Sequence, residues 1–178
     1  MKTWQRIHSD PSLWQRYFVR EKVLRAIRLF LDTQQFQEIE APMLIAKPPA
    51  ESYLDVFETK LFDRSRNSLP GYLSTSPEVP LKKLMVAGLG NCYALTKSFR
   101  NMETQSKLHN PEFTMMEIYV AYKDYIWMME MVENLIEKIC LELRGTTEIK
   151  FGEHMLSFKG PFRRLSMHDS IKEYTGVD

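Results

Sequence analysis

Neither sign of charge dominates this sequence. It carries 24 Lys and Arg against 23 Asp and Glu, a formal net charge of +1, so no global field steers it towards nucleic acid or an acidic membrane. Any polyanion it binds must be gripped locally. Apolar runs long enough to span a bilayer are missing. Residues 1–11 are polar and contain no apolar stretch of the kind a secretory leader needs. Cysteine is scarce: Cys92 and Cys140 stand alone, without a CxxC neighbour or a histidine at metal-ligand spacing. Both are expected to be buried, reduced and structural, which fits a cytoplasmic protein. Internal repeats and low-complexity tracts are also missing.

What is present is a chain of 178 residues, 44% hydrophobic and 26% charged, the size of one domain with a substantial core. Helical spacing of Tyr17, Leu24, Ile27 and Leu31 predicts a long helix over 13–36, with Ser9, Asp10 and Pro11 as start signals. The stretch 36–44 alternates like a strand until Pro42, and 56–62 alternates again. Residues 64–71 are rich in breakers and predict a turn. Ser76 and Pro77 predict a helix start that carries Leu81, Leu84 and Met85 and stops at Gly88 or Gly90. Two strands, 92–100 and 113–122, flank a polar loop. Asp124 opens an amphipathic helix to about Leu143, with Trp127, Met131, Leu135 and Ile139 near one stripe. Two short strands follow near 149–151 and 155–158. A last strand near 164–167 leads to a helix from about His168. Runs of antiparallel strands with flanking helices predict an α+β fold.

The chemistry gathers at the central hairpin. A period of two puts Ala94, Thr96, Ser98 and Arg100 on one face of its first strand. On the second strand Phe113, Met115, Glu117, Tyr119 and Ala121 share a face, and Thr114, Met116, Ile118, Val120 and Tyr122 form the other, read as core. A carboxylate in an apolar strand is costly unless it is paired or faces a wet cleft. Arg100 offers a planar fork for phosphate or carboxylate. His109 can add a donor to a polyphosphate, Phe113 can stack on a base, and Glu117 with Tyr119 can hold a cation. Glu78 is a second carboxylate for an ammonium. Each has a plainer alternative: an Arg100–Glu117 cross-strand ion pair, a loop histidine, a core phenylalanine, a tyrosine at the pocket edge, a glutamate complementing a helix N-terminus.

At this hairpin the wording resembles a known family. Ser98-Phe99-Arg100-Asn101, with His109-Asn110-Pro111-Glu112-Phe113-Thr114-Met115-Met116-Glu117-Ile118-Tyr119, is similar to motif 2 of class II lysyl-tRNA synthetases. Residues 36–44 (FQEIEAPML) resemble the strand of motif 1, so 13–44 would be the motif 1 helix and strand and 92–122 the motif 2 hairpin. Ser74-Thr75-Ser76-Pro77-Glu78 and the segment from Phe162 also match the family's wording. The wording is especially similar to the truncated paralogue that attaches lysine or β-lysine to elongation factor P.

The resemblance implies a class II synthetase catalytic domain, an antiparallel sheet flanked by helices, over the whole of 1–178. It implies activation of lysine by ATP to lysyl-adenylate, and transfer of the acyl group to tRNA or elongation factor P. Carried over by position, Arg100 is the catalytic residue, and Arg100, Asn101, Glu103, His109 and Phe113 bind ATP. Glu78 takes the amino group of the amino acid, and Glu117 and Tyr119 take its side-chain ammonium. A homodimer through motif 1 is also implied.

Three departures accompany the match. The family's Arg-Asn-Glu continues here as Arg100-Asn101-Met102, with Glu103 one step later, and Leu108 with Lys107 replaces a basic residue before His109. Motif 3 has no counterpart before Asp178. The chain is therefore expected to be a C-terminally truncated domain, with the ligands for Mg2+ beyond its end and no metal site of its own. The alternative of an inactive synthetase-like fragment acting as a binding or regulatory module stays open.

Overall fold

The computed structural model describes residues 3–50, 52–101 and 109–177. The order is α1 (Thr3–Ser9), a 3-10 turn (Pro11–Leu13), α2 (Trp14–Thr33), β1 (Gln37–Glu38), β2 (Leu44–Ile45), β3 (Glu58–Phe62), β4 (Ser68–Leu73) and α3 (Glu78–Val86). Then come β5 (Cys92–Phe99), β6 (Glu112–Tyr119), α4 (Tyr125–Arg144), β7 (Glu148–Phe151), β8 (His154–Ser157) and α5 (Met167–Thr175). The mixture of helices and largely antiparallel strands is the expected α+β class. The chain divides into two compact units, 31–122 and the pair of segments 1–30 and 123–178.

Within 31–122, β5 and β6 pair antiparallel from Cys92 opposite Tyr119 to Phe99 opposite Glu112. β1 adds a short parallel strand on the other edge of β5. A second sheet runs β2-β4-β3, antiparallel throughout. Facing residues in an antiparallel pair share a side of the sheet, so the register puts Ala94 beside Glu117, Thr96 beside Met115 and Ser98 beside Phe113. On that side Leu81 of α3 packs with Ala41, Cys92 and Ala94, and Ile39, Met85 and Tyr119 close round them. The small strand residues let the helix approach. Part of the surface read as an open floor is thus covered by α3. The opposite set, read as core, is only half-buried, and Tyr122 is fully exposed with a left-handed φ of 59°.

Several boundaries differ from expectation for local reasons. The helix expected through Phe36 ends at Thr33, because Gln35 turns left-handed at φ 61° and the Phe36 N–H donates to the Leu31 carbonyl at 3.0 Å. The strand expected over 36–44 is broken into β1 and β2, which pair in different sheets. The expected turn at 64–71 runs only to Asn67, and its second half, from Ser68, is strand β4. Pro70 is tolerated there because it faces Lys60 of β3, while β2 reaches only Tyr72 and Leu73. Gly71 sits in a tight place: a Cβ would lie 3.2 Å from Thr59 Cγ2 and 3.3 Å from Leu61 Cγ, close enough that those side chains would have to shift slightly. Helix α3 starts one residue later than expected, with Pro77 as its cap.

Within the other unit, Asp10 caps the 3-10 turn by accepting from the Ser12 N–H at 3.1 Å. Tyr17, one of the apolar residues at helical spacing in the first long helix, is exposed, as are Trp14 and Phe18. Asp124 caps α4 as expected, accepting from the Trp127 N–H at 2.9 Å, and Gly145 ends it at φ 70°. Its buried residues are Met131, Leu135 and Cys140, and also Glu133, which pairs with Arg164. That pairing occupies the stretch where a strand was expected at 164–167. Arg164 lies outside any strand, and Ser166 caps α5 by accepting from the Asp169 N–H at 3.0 Å. Both cysteines are buried free thiols, pushed above the ordinary thiol pKa by burial. Among the described residues no helix is long and apolar enough to cross a membrane.

Candidate active site

The segment 74–76 is tied on both sides. The Ser74 N–H donates to the Met43 carbonyl at 2.8 Å, and the Phe99 N–H donates to the Ser74 carbonyl at 2.9 Å. The Ser74 hydroxyl donates to the Ser76 carbonyl at 2.8 Å. Ser76 is thereby held against the hairpin face that carries Glu117. Its hydroxyl donates to Glu117 Oε1 at 2.5 Å and accepts the Glu78 N–H at 3.0 Å. The Tyr119 phenol donates to Glu117 Oε2 at 3.0 Å. Each oxygen of Glu117 therefore has one hydroxyl donor, the satisfaction that a half-buried carboxylate requires.

Burial first, and then the hydrogen bond and charge of Glu117, push the Tyr119 phenol well above its ordinary pKa. The phenol keeps its proton and points it at Glu117 in the hydrogen bond, leaving its oxygen lone pairs to accept from a cation. Glu78 stands at the first position of α3 and pairs with Lys82 one turn on. Glu78 and Ser76 also line a cavity of about 650 Å³, whose wall includes Leu44, Ile45, Lys47 and Lys83.

At the other end of the hairpin the Arg100 guanidinium lies over the Phe113 ring, 5.3 Å from its centroid. The Arg100 N–H donates to the Pro111 carbonyl at 3.0 Å, extending the hairpin pairing past β5. Asn101 forms an antiparallel bridge with Asp55, and its side-chain amide reaches the Val56 carbonyl at 3.5 Å. His109 is exposed on the loop before β6. Glu103 lies outside the described residues.

Two groups thus emerge from the expected set. Glu78, Glu117 and Tyr119 are joined by direct or shared hydrogen bonds, and Arg100 with Phe113 is joined by a cation–π contact. Missed in the sequence was the part played by Ser76, taken only as a helix cap. Its bond to Glu117 spans 41 residues, so no local pattern announces it. Among the described residues no group of three or more His, Cys, Asp or Glu side chains is arranged to hold a metal ion.

Comparison with known proteins gives the family of the chain. The family model described as tRNA synthetases class II (D, K and N) matches residues 4–178. A lysine–tRNA ligase of Christiangramia forsetii is 43% identical over 171 residues, 95% of this chain and 29% of that protein. One from Azobacteroides pseudotrichonymphae is 40% identical over 164 residues, 91% of this chain and 31% of that protein. Another, from Vibrio cholerae, is 42% identical over 160 residues, 89% of this chain and 30% of that protein. The chain spans less than a third of the length of these relatives. With the match running through both hairpin strands and nearly the whole sequence, the chain belongs to the class II tRNA synthetases of the D, K and N family.

Proposed function

We propose that this chain binds lysine and ATP and activates the amino acid as lysyl-adenylate. The observation that carries this reading is the Ser76 link, in which one hydroxyl holds the Glu117 carboxylate and the backbone N–H of Glu78, the first residue of α3. Lysine has two ammonium groups, and two carboxylates are their electrostatic complement. Glu78 takes the α-ammonium; its pairing with the Lys82 ammonium illustrates that chemistry. Glu117 and the Tyr119 oxygen take the ε-ammonium.

Arg100 takes the substrate carboxylate and the α-phosphate, and Phe113 stacks on adenine. Asn101, Glu103 and His109 complete the grip on ATP. A lysine carboxylate oxygen attacks the α-phosphorus, the bond to the β-phosphate oxygen breaks, and pyrophosphate leaves. Charge that develops on the α-phosphate meets the Arg100 fork. The rest of the catalysis is positioning, and no protein nucleophile is needed. The adenylate then passes its acyl group to a nucleophile on tRNA or on elongation factor P, releasing AMP. Magnesium belongs to such chemistry by family resemblance, and no residue described here is assigned to it. A homodimer through α2 accompanies this reading, supported by the exposed Trp14, Tyr17 and Phe18. A cytoplasmic location accompanies it too.

Lysine-dependent ATP–pyrophosphate exchange tests the proposal, with an amino-acid panel and Arg100→Ala as control. Exchange with lysine or a close analogue alone, lost in the variant, supports it. No exchange with any amino acid would refute activation by this chain and favour the binding-module alternative.

A further inference from the structure

We propose that Ser76 is a positioning residue whose hydroxyl fixes the Glu117 carboxylate against the first turn of α3, at the backbone N–H of Glu78. The inference rests on the lysine-binding reading and adds a specificity role to a residue outside the expected site. A hydroxyl has one proton to give. Here that proton goes to Glu117 Oε1 at 2.5 Å, and the same oxygen accepts the Glu78 N–H at 3.0 Å. Capping α3 would need only the second bond.

The first bond reaches across to β6 and, with the Tyr119 phenol on Oε2 at 3.0 Å, holds the Glu117 carboxylate from both oxygens. Ser76 is itself immobilised, because Ser74 holds its carbonyl at 2.8 Å and the Phe99 N–H fixes the Ser74 carbonyl. The spacing between the first turn of α3 and the Glu117 carboxylate is thus set by hydrogen bonds through one atom. For an amino acid with two ammonium groups, that spacing is the ruler that selects side-chain length. Without the hydroxyl, Glu117 loses the donor on one oxygen and its carboxylate is free to turn.

The test compares Ser76→Ala and Ser76→Thr with the unaltered chain by two independent readouts. One is the carboxyl carbon NMR signal of Glu117, assigned with Glu117→Gln, together with hydrogen exchange at the Glu78 amide. The alanine variant is expected to move the signal and to speed the exchange at least tenfold, and threonine to restore both. The other is calorimetric affinity for lysine and for norleucine, which lacks the side-chain ammonium. Lysine binding is expected to fall tenfold or more in the alanine variant, to about the norleucine level, and to return to within threefold in the threonine variant.

A Glu117 signal unmoved by Ser76→Ala would overturn the inference whatever the affinities. So would a moved signal with unchanged preference for lysine over norleucine. If the unaltered chain binds no lysine, the functional reading fails, and the specificity role with it. The NMR arm then still decides whether Ser76 orients the carboxylate.

Discussion

Leu81→Ala probes the seat of the candidate site. Leu81 is 0% exposed and lies one turn beyond Glu78, packed on Ala41, Cys92 and Ala94 with Ile39, Met85 and Tyr119 at the margin. Truncation removes three carbons, and at about 0.8 kcal/mol each the lost transfer energy is about 2.4 kcal/mol. The cavity adds to this, and buried Leu→Ala changes span about 2.7–5.0 kcal/mol according to how far the site collapses. Three of the neighbours are too short to refill the space; Met85 and Ile39 can lean in only partly. The expected loss is therefore about 3–4 kcal/mol, a large share of an ordinary domain's stability. Urea unfolding with linear extrapolation measures it, and at a slope of about 2 kcal/mol/M the midpoint falls by roughly 1.5–2 M. Leu81→Met, which conserves volume, should cost under about 1.5 kcal/mol. A loss below about 1 kcal/mol for alanine would show that α3 is not seated on the β5–β6 hairpin as described. The whole geometry of Ser76 and Glu78 would then fall with it.

Thr75 is fully buried, and its hydroxyl has no hydrogen-bond partner among the described residues. Thr75→Val keeps the shape and removes the unsatisfied group, so it should leave stability unchanged or raise it, by at most about 1–3 kcal/mol; a clear loss in urea unfolding would show that the hydroxyl is bonded. Acid should destabilise the chain. A hydrogen bond from Arg164 holds Glu133 below its ordinary value of 4.5, and one from Arg163 does the same for Glu173. A depressed folded pKa contributes stability above the unfolded value, and that stability is lost as pH falls through the folded one. Unfolding free energy should therefore decline below about pH 4.5, and Arg164→Met should flatten that decline. An unchanged acid limb in the variant would mean that the Glu133 pair does not contribute.

Elements with a complete local signal were legible in the sequence. Asp124 and Gly145 bracket the apolar stripe of α4, and the period of two read at 92–100 and 113–122 marks the hairpin, whose strands run Cys92–Phe99 and Glu112–Tyr119. Glu117 stood out because a carboxylate in an apolar strand must be compensated somewhere. Where its compensation comes from was not legible: the donors are Tyr119, two residues away, and Ser76, brought in from a different element.

Strand β4 was hidden because Pro70 and Gly71 are turn residues by local chemistry. Pro70 is accommodated because β2 stops short of it, and Gly71 lies close against the side chains of Thr59 and Leu61. The stretch at 164–167 had a strand's pattern, but Arg164 is taken by Glu133 of α4. By itself the sequence determined the family and the antiparallel hairpin, since these rest on residue identity and short-range period. Only the tertiary structure decided that α3 covers part of that hairpin face and that one serine hydroxyl joins Glu78 to Glu117. Hydrogen bonds between distant segments depend on where packing places them, and spacing along the chain does not encode that.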